Sequence, residues 1–395
     1  MGTTLVVNPG SSSKKYALFK NGQPVLELRF ESTDIGFEVC LVNNGSKQVC
    51  EAIKDEDFNL AFARVSEEVC NFLKQENVGQ KLDSVVVRVV ASGTAFQRHS
   101  EINSDYLNSL KKRQNLAPLH IPTIIREVEN IQKYFPDIKI IAASDSDFHS
   151  TIPSSRQNFS IPKEDGEKYD IKRFGFHGLS VSSVVRKIHG VIGIDPEKMI
   201  VCHIGNGVSV TAVKNGKSVD TTMGFSPGTG LVMGTRAGDL DTGALLEIMR
   251  VKSLKPAEAE MYLNSMGGLY GLAGDADIRR LLDKRSKNDE LSTQTLNTFA
   301  YHIQKAIAAS TISIGGLDVL VLTATAAVRS TELRCLILNG LKHLGVEVSE
   351  DRNNSLVGKD GVISVRNSKV KVVVMRTDEM GEMALVGQQF LSSKI

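Results

Sequence analysis

The chain has 395 residues, 41% of them hydrophobic and 23% charged, with 47 Lys and Arg against 45 Asp and Glu. That is apolar material for roughly two domains with cores of their own. A formal net charge of +2 argues against nucleic acid or an anionic membrane as the partner. No apolar run approaches the roughly 20 residues that span a bilayer. The N-terminus enters a strand at once, so no signal peptide is expected and the protein is expected in the cytoplasm. The five cysteines, Cys40, Cys50, Cys70, Cys202 and Cys335, show no close pairing and no zinc-ligand spacing. They are expected to be reduced and packed mostly as small apolar groups.

Residues 1–50 alternate strand and turn signals. Within them Leu5-Val-Val-Asn-Pro-Gly-Ser-Ser-Ser-Lys-Lys-Tyr-Ala-Leu-Phe-Lys-Asn-Gly22 reads as a strand, a glycine turn rich in side-chain donors, a second strand and a Lys-Asn-Gly hairpin turn. Residues 57–76 carry Phe58, Ala61, Val65, Val69 and Phe72 at helical spacing. Residues 84–90 form an apolar strand broken only by Arg88. A charge there is too costly to bury without an anion, which is either a ligand or a carboxylate at the strand end. The run Lys111-Lys-Arg113 is expected on a solvated helix face. Leu116-Ala-Pro-Leu-His-Ile-Pro122 is a loop pinned by two prolines, with a helix from about 124 to 134 behind it. A strand over 138–143 ends in Ser144-Asp-Ser-Asp-Phe-His149. Carboxylates at the end of a buried strand suit magnesium and phosphate chemistry, or else cap a turn.

Phe174-Gly-Phe-His-Gly178 precedes a helix over 181–189. A strand over 199–204, the turn Gly205-Asn-Gly207, a strand over 208–213 and Lys214-Asn-Gly216 follow. Such a glycine turn leaves backbone N–H groups bare for an anion, or is an ordinary hairpin corner. Its importance rises because this unit repeats the N-terminal one, differing by one residue between turn and hairpin. The duplication predicts two similar lobes facing a cleft, each offering a phosphate loop. This layout resembles the superfamily of sugar kinases, actin and heat-shock ATPases. Residues 221–241 are dense in glycine and hold Arg236, a residue suited to bidentate carboxylate or phosphate recognition. Residues 244–313 read mostly as helices, interrupted by a glycine loop over 267–279. Strands over 317–323 and 370–375 and a final helix from about 382 close the chain. The expected fold is α/β, with two duplicated mixed-sheet domains. The N-terminal lobe takes 1–150 plus 382–395, and the C-terminal lobe takes 151–381.

Taken together, Asn8-Pro-Gly-Ser-Ser-Ser, Arg88-Val-Val, Leu116-Ala-Pro-Leu-His120, Phe148-His149 after Asp145, Phe174-Gly-Phe-His-Gly178, His203-Ile-Gly-Asn-Gly207, Met233-Gly-Thr-Arg236 with Gly238-Asp-Leu-Asp241, Asp277-Ile-Arg279 and Glu379 resemble the acetate kinase family, in its order and across nearly the whole chain. The resemblance implies a homodimeric phosphotransferase that moves a phosphoryl group between ATP and acetate or propionate, with Mg²⁺ or Mn²⁺. It implies that Arg88 and Arg236 hold the carboxylate and the phosphoryl oxygens. His177 would contact the phosphoryl group, His120 would support it, and Asp145 would orient the acceptor or the metal. Asn8 and Glu379, with Asp145, would place the metal. Val90, Leu119, Phe176 and Pro227 would line the acid's methyl pocket. Lys15, His203, Asn206, Gly207, Asp277, Ile278, Arg279, Thr325, Ala326, Ala327 and Val328 would hold ATP. The chemistry agrees, because a carboxylate is already a nucleophile. Catalysis then reduces to positioning and charge neutralisation by Arg, His and a metal ion.

The chain departs from the family pattern at single positions, with Ile121 for Asn and Asp147 for Ala, and over two longer stretches. The acceptor strand reads Val87-Arg-Val-Val-Ala-Ser-Gly93 where the family has His-Arg-Val-Val-His-Gly-Gly. The adenosine loop reads Thr323-Ala-Thr-Ala-Ala-Val-Arg329 where the family has Thr-Ala-Gly-Ile-Gly-Glu-Asn. Three readings follow from these differences. They are an acyl kinase using ATP, one using another donor such as pyrophosphate, and a binding or regulatory protein on the same scaffold.

Overall fold

In a computed structural model, residues 2–10, 13–33, 36–75, 81–114 and 120–392 are described. The chain divides into two compact units, residues 1–147 with 378–395, and residues 148–377.

The first unit is built on an eight-stranded sheet. Its strands are β1 (Thr3–Pro9), β2 (Ser13–Lys20), β3 (Gln23–Thr33), β4 (Gly36–Asn43), β5 (Val49–Ile53), β6 (Ser84–Val89), β7 (Ser100–Glu101) and β8 (Lys139–Ser144), in the order β5-β4-β3-β2-β1-β6-β8-β7. β1 to β5 pair antiparallel with their chain neighbours, whereas β1, β6 and β8 run parallel. β6 is buried along its length apart from the half-buried Arg88. Leu5, Val7, Val85 and Val87 pack with Phe62, Val65 and Val69 of the helix Ala61–Gln75 and with Ile124, Val128 and Ile131 of the helix Ile121–Tyr134. The latter helix starts three residues earlier than its apolar periodicity suggests. Pro122 sits in its first turn, where a missing N–H costs nothing.

The second unit carries a six-stranded sheet of β9 (Lys198–Ile204), β10 (Val208–Lys214), β11 (Lys217–Thr221), β12 (Val319–Thr323), β13 (Gly361–Val362) and β14 (Lys371–Met375), in the order β11-β10-β9-β12-β14-β13. This matches β3-β2-β1-β6-β8-β7 strand for strand, including the antiparallel hairpin that opens each run and the parallel pairs β9–β12 and β12–β14. Both Lys-Asn-Gly turns have their central residues at positive φ: Asn21 at 53° and Gly22 at 80°, Asn215 at 49° and Gly216 at 74°. That is the tight hairpin turn whose twist suits the flanking strands. Val181, Val184 and Ile188 of the helix Gly178–Ile192 pack on Val201, Val321 and Val373 of the sheet. Gly315, at φ 74°, ends the 25-residue helix Glu290–Ile314.

The cysteine expectation fails at one pair. Cys40 and Cys50 are joined in a disulfide. Ten residues separate them in sequence, but the β4–β5 register sets them directly opposite each other. Cys70, Cys202 and Cys335 are free. The basic run also differs from expectation, since Lys111 and Lys112 are exposed while Arg113 turns inward and donates to Ser92 O at 3.3 Å. Among the described residues no helix is long and apolar enough to cross a membrane.

Candidate active site

In the first unit the expected residues meet where parallel strands end. Asn8 lies at the end of β1, Arg88 in the neighbouring β6, Asp145 just past β8, and Glu379 opens the helix Glu379–Ser392. Arg88 donates from Nε and Nη2 to Asp145 Oδ1 at 3.2 and 2.9 Å, and from Nη1 to Glu379 Oε2 at 3.0 Å. Asn8 Nδ2 donates to the same Glu379 oxygen at 3.4 Å. Burial opposes the charge on Arg88, but the carboxylates of Asp145 and Glu379 outweigh it and hold the guanidinium above its usual range. Arg88 thus has the carboxylate partners that a buried strand cation needs. Lys15 stands opposite Asn8 across the β1–β2 pair. His120 is the N-cap residue of Ile121–Tyr134, and Val90 is buried at the end of β6. Leu119 lies outside the described residues.

The first unit also holds a buried polar group with no counterpart in the motifs. Lys14 Nζ pairs with Glu127 Oε1 at 3.3 Å and donates to Phe58 O at 3.1 Å, and Tyr16 Oη donates to Glu127 Oε1 at 3.1 Å. Burial pushes the Glu127 carboxyl above its usual range, against the pull of Lys14.

In the second unit the expected residues surround the Gly205–Gly207 turn. His177 takes the left-handed conformation, φ 62° and ψ 20°, at the head of Gly178–Ile192. A non-glycine residue held there is strained, a cost of about 1–3 kcal/mol that persists where the surroundings over-determine it. The restraints are visible: Nδ1 bonds Ser209 Oγ at 2.9 Å, and the ring stacks on His203 with centroids 4.0 Å apart. His203 in turn bonds Ser180 Oγ at 2.7 Å. Gly207 is required by close approach. A Cβ on it would lie 2.8 Å from His177 Nε2 and 3.5 Å from Arg236 Nη1. Arg236 donates to Pro227 O at 3.0 Å. Among the described residues no carboxylate pairs with it, and burial lowers its pKa.

The other segments adjoin this turn. The Cβ position of Gly234 lies 3.7 Å from Ala276 Cβ and 3.8 Å from Asn206 O, which brings the loop before Asp277 beside it. Asp277 caps the helix Ile278–Ser286 and receives Arg279 Nη2 at 2.6 Å. The Arg279 hydrogen bond lowers its pKa. His203 and Thr323 are neighbours across the β9–β12 pair, and the Cβ position of Gly205 lies 3.6 Å from Ala324 Cβ. Of the segment that follows, Thr325 is exposed while Ala327 and Val328 are buried, so the latter two face the interior. Phe176 is fully buried and Pro227 buried. His149, fully buried, bonds Ser218 Oγ and Phe176 O at 2.9 and 2.8 Å, which makes it structural. Sequence reasoning missed Ser180 and Ser209. Their positions, three residues after His177 and two after Gly207, are a signal visible only once the helix and strand directions are known.

The family model for the acetokinase family matches residues 3–385. The chain belongs to the acetokinase family. Acetate kinase of Dictyoglomus thermophilum is 36% identical over 388 residues, 95% of this chain and 96% of the relative. That of Thermotoga maritima is 36% identical over 390 residues, 95% of each chain. Among solved structures, Porphyromonas gingivalis acetate kinase matches with TM-score 0.83 and 30% identity, covering 99% of this chain and 100% of that one. A Francisella tularensis propionate kinase matches with TM-score 0.85 and 30% identity over 98% and 99%. The chain shares its two-sheet α/β fold with these acetokinase relatives, and it is a kinase whose acceptor is a carboxyl group. Neither another donor nor a purely binding role is favoured.

Proposed function

We propose that this kinase forms acetyl or propionyl phosphate and ADP from ATP and the free acid by direct in-line transfer, with Arg236 and His177 at the transferred group. The observation that carries the reading is Arg236. A partly buried guanidinium with no carboxylate partner among the described residues, next to a strained histidine and a glycine turn, is a cation kept for a ligand's anion. The acid's carboxylate oxygen forms the new bond to the γ-phosphorus while the bond to the bridging oxygen breaks, and ADP leaves with that electron pair. Arg236 and His177 lower the barrier by meeting charge on the phosphoryl oxygens. Backbone at Asn206 and Gly207, with Lys15, Asp277, Ile278 and Arg279, holds the donor, and the exposed Thr325 and half-buried Ala326 lie toward its nucleoside. Arg88, fixed by Asp145 and Glu379, receives the acceptor carboxylate, with His120 in support and Val90 against its methyl group.

Kinases of this family need a divalent cation. The oxygens of Asn8, Asp145 and Glu379 are hard donors of the type Mg²⁺ prefers. Arg88 already occupies the space among them, and no group of three His, Cys, Asp or Glu among the described residues could hold an ion. The donor set therefore fits an ion that arrives with the phosphates and is held through water. Bound there, it supplies further charge neutralisation. Exposed Leu246, Val251 and Met261 support the homodimer, and a cytoplasmic setting completes the reading.

A panel of ATP, GTP and pyrophosphate against acetate, propionate and butyrate, read as acyl hydroxamate, tests this. ATP with acetate or propionate should give product that chelator abolishes and Mg²⁺ or Mn²⁺ restores. Product from pyrophosphate alone, or full turnover in excess chelator, would overturn it.

A further inference from the structure

The segment after β12, Thr323-Ala-Thr-Ala-Ala-Val-Arg329, is held by an unusual device. Arg334, fully buried on the helix Thr331–Asn339, is the largest fully buried side chain among the described residues. Its guanidinium meets oxygens of two stretches of chain. Nη1 donates to Ala327 O at 2.8 Å and Val328 O at 3.2 Å. Nε donates to Asn353 Oδ1 at 2.7 Å, and Nη2 to Asn353 O at 2.7 Å and Leu356 O at 2.8 Å. Asn353, itself fully buried, donates onward to Thr331 O at 3.0 Å. Five short contacts from one planar cation to neutral oxygens specify position in a way a flexible ammonium would not.

What the clamp positions is the corner beside the Gly205–Gly207 turn. Ala324 is at φ 69°, a conformation that disfavours any residue with a Cβ. On one side Thr323 Oγ1 donates to Met375 O at 2.6 Å. On the other, Arg334 takes the carbonyls of Ala327 and Val328. A strained corner at the end of a parallel strand, abutting the turn assigned to donor phosphates, is fixed from both ends. We infer that the buried Arg334–Asn353 pair is the positioning element that holds residues 324–329 against the nucleotide, and so sets affinity for the donor's nucleoside end rather than the chemistry of transfer. This rests on the reading that ATP binds at this turn.

The test is Arg334→Lys and Asn353→Ala in the full chain, with KM for ATP, KM for acetate, kcat and Tm all measured. Contacts to the far end of a substrate supply uniform binding. Arg334→Lys should therefore raise KM for ATP tenfold or more, leave KM for acetate within twofold, and lower kcat by less than the rise in KM for ATP. Asn353→Ala should show the same split at smaller size, and it decides the matter if Arg334→Lys does not fold. A role in stability alone would lower Tm and the active fraction without moving either KM. That outcome, or a parallel change in both KM values and kcat, overturns the inference. If the wild-type chain transfers nothing from ATP, the reading of the donor fails first and the clamp's role with it.

Discussion

The two units carry sheets of matching strand order, but the arginines of their expected sites are treated oppositely. In the first unit Arg88 is locked between Asp145 and Glu379. In the second, Arg236 meets a carbonyl and a thioether, Pro227 O and Met233 Sδ, and no carboxylate among the described residues. Burial acts against both charges. Arg88 is compensated by the protein, whereas Arg236 is left for something else to compensate. A duplicated scaffold has thus been divided between a rigid acidic cradle and a poised cationic one. The difference lies in the side chains, because the strand order is the same.

The comparison breaks most sharply at the arginines. Arg236→Ala should lower kcat by on the order of 10²–10³ with little change in Tm, since no carboxylate is abandoned. Arg88→Ala should lower both activity and Tm, because it removes the cation shared by the buried Asp145 and the half-buried Glu379. Steady-state kinetics beside thermal melts decide this. Equal Tm losses in the two variants would erase the distinction.

A smaller effect on activity but a large one on stability is expected at the buried Lys14–Glu127 pair. Lys14→Met strands Glu127 and should cost about 3–5 kcal/mol, while Lys14→Met with Glu127→Leu should recover most of it. Urea titrations of the three chains measure it. Glu127 also sets a pH trend. Its folded pKa is raised, chiefly by burial, so the folded state holds the proton more tightly than the unfolded chain. Its contribution is fully present below the unfolded value and is lost as pH rises through the folded one. The stability of wild type relative to Glu127→Gln should fall as pH increases across that window.

The smallest effect concerns the acid. With Val90 buried at the end of β6, each extra methylene is worth about 1–3 kcal/mol. The ratio of kcat/KM values should place acetate above butyrate with propionate close behind, and a preference for butyrate would show that Ala91 and Ser92 have opened the pocket.

Much of the fold was readable in the residues. The Lys-Asn-Gly turns announced both hairpins because only such pairs take positive φ twice without strain. Apolar runs bounded by turn signals marked the parallel strands of both sheets. The lone Arg88 in its apolar strand demanded an anion, and Asp145 and Glu379 supply it from within the chain. The Cys40–Cys50 bond was not readable, since register across β4 and β5, not sequence distance, brings the sulfurs together.

By itself, then, the sequence determined the local periodicities, the repeated turn units and the family, because these depend on residues near one another in the chain. Tertiary structure alone decided which charges are satisfied. Arg334 spends its guanidinium on oxygens up to 22 residues away, Lys14 finds Glu127 across 113 positions, and Arg236 finds no carboxylate among the described residues. Electrostatic and hydrogen-bond partners are fixed by distances of a few ångströms, which only the packed chain defines.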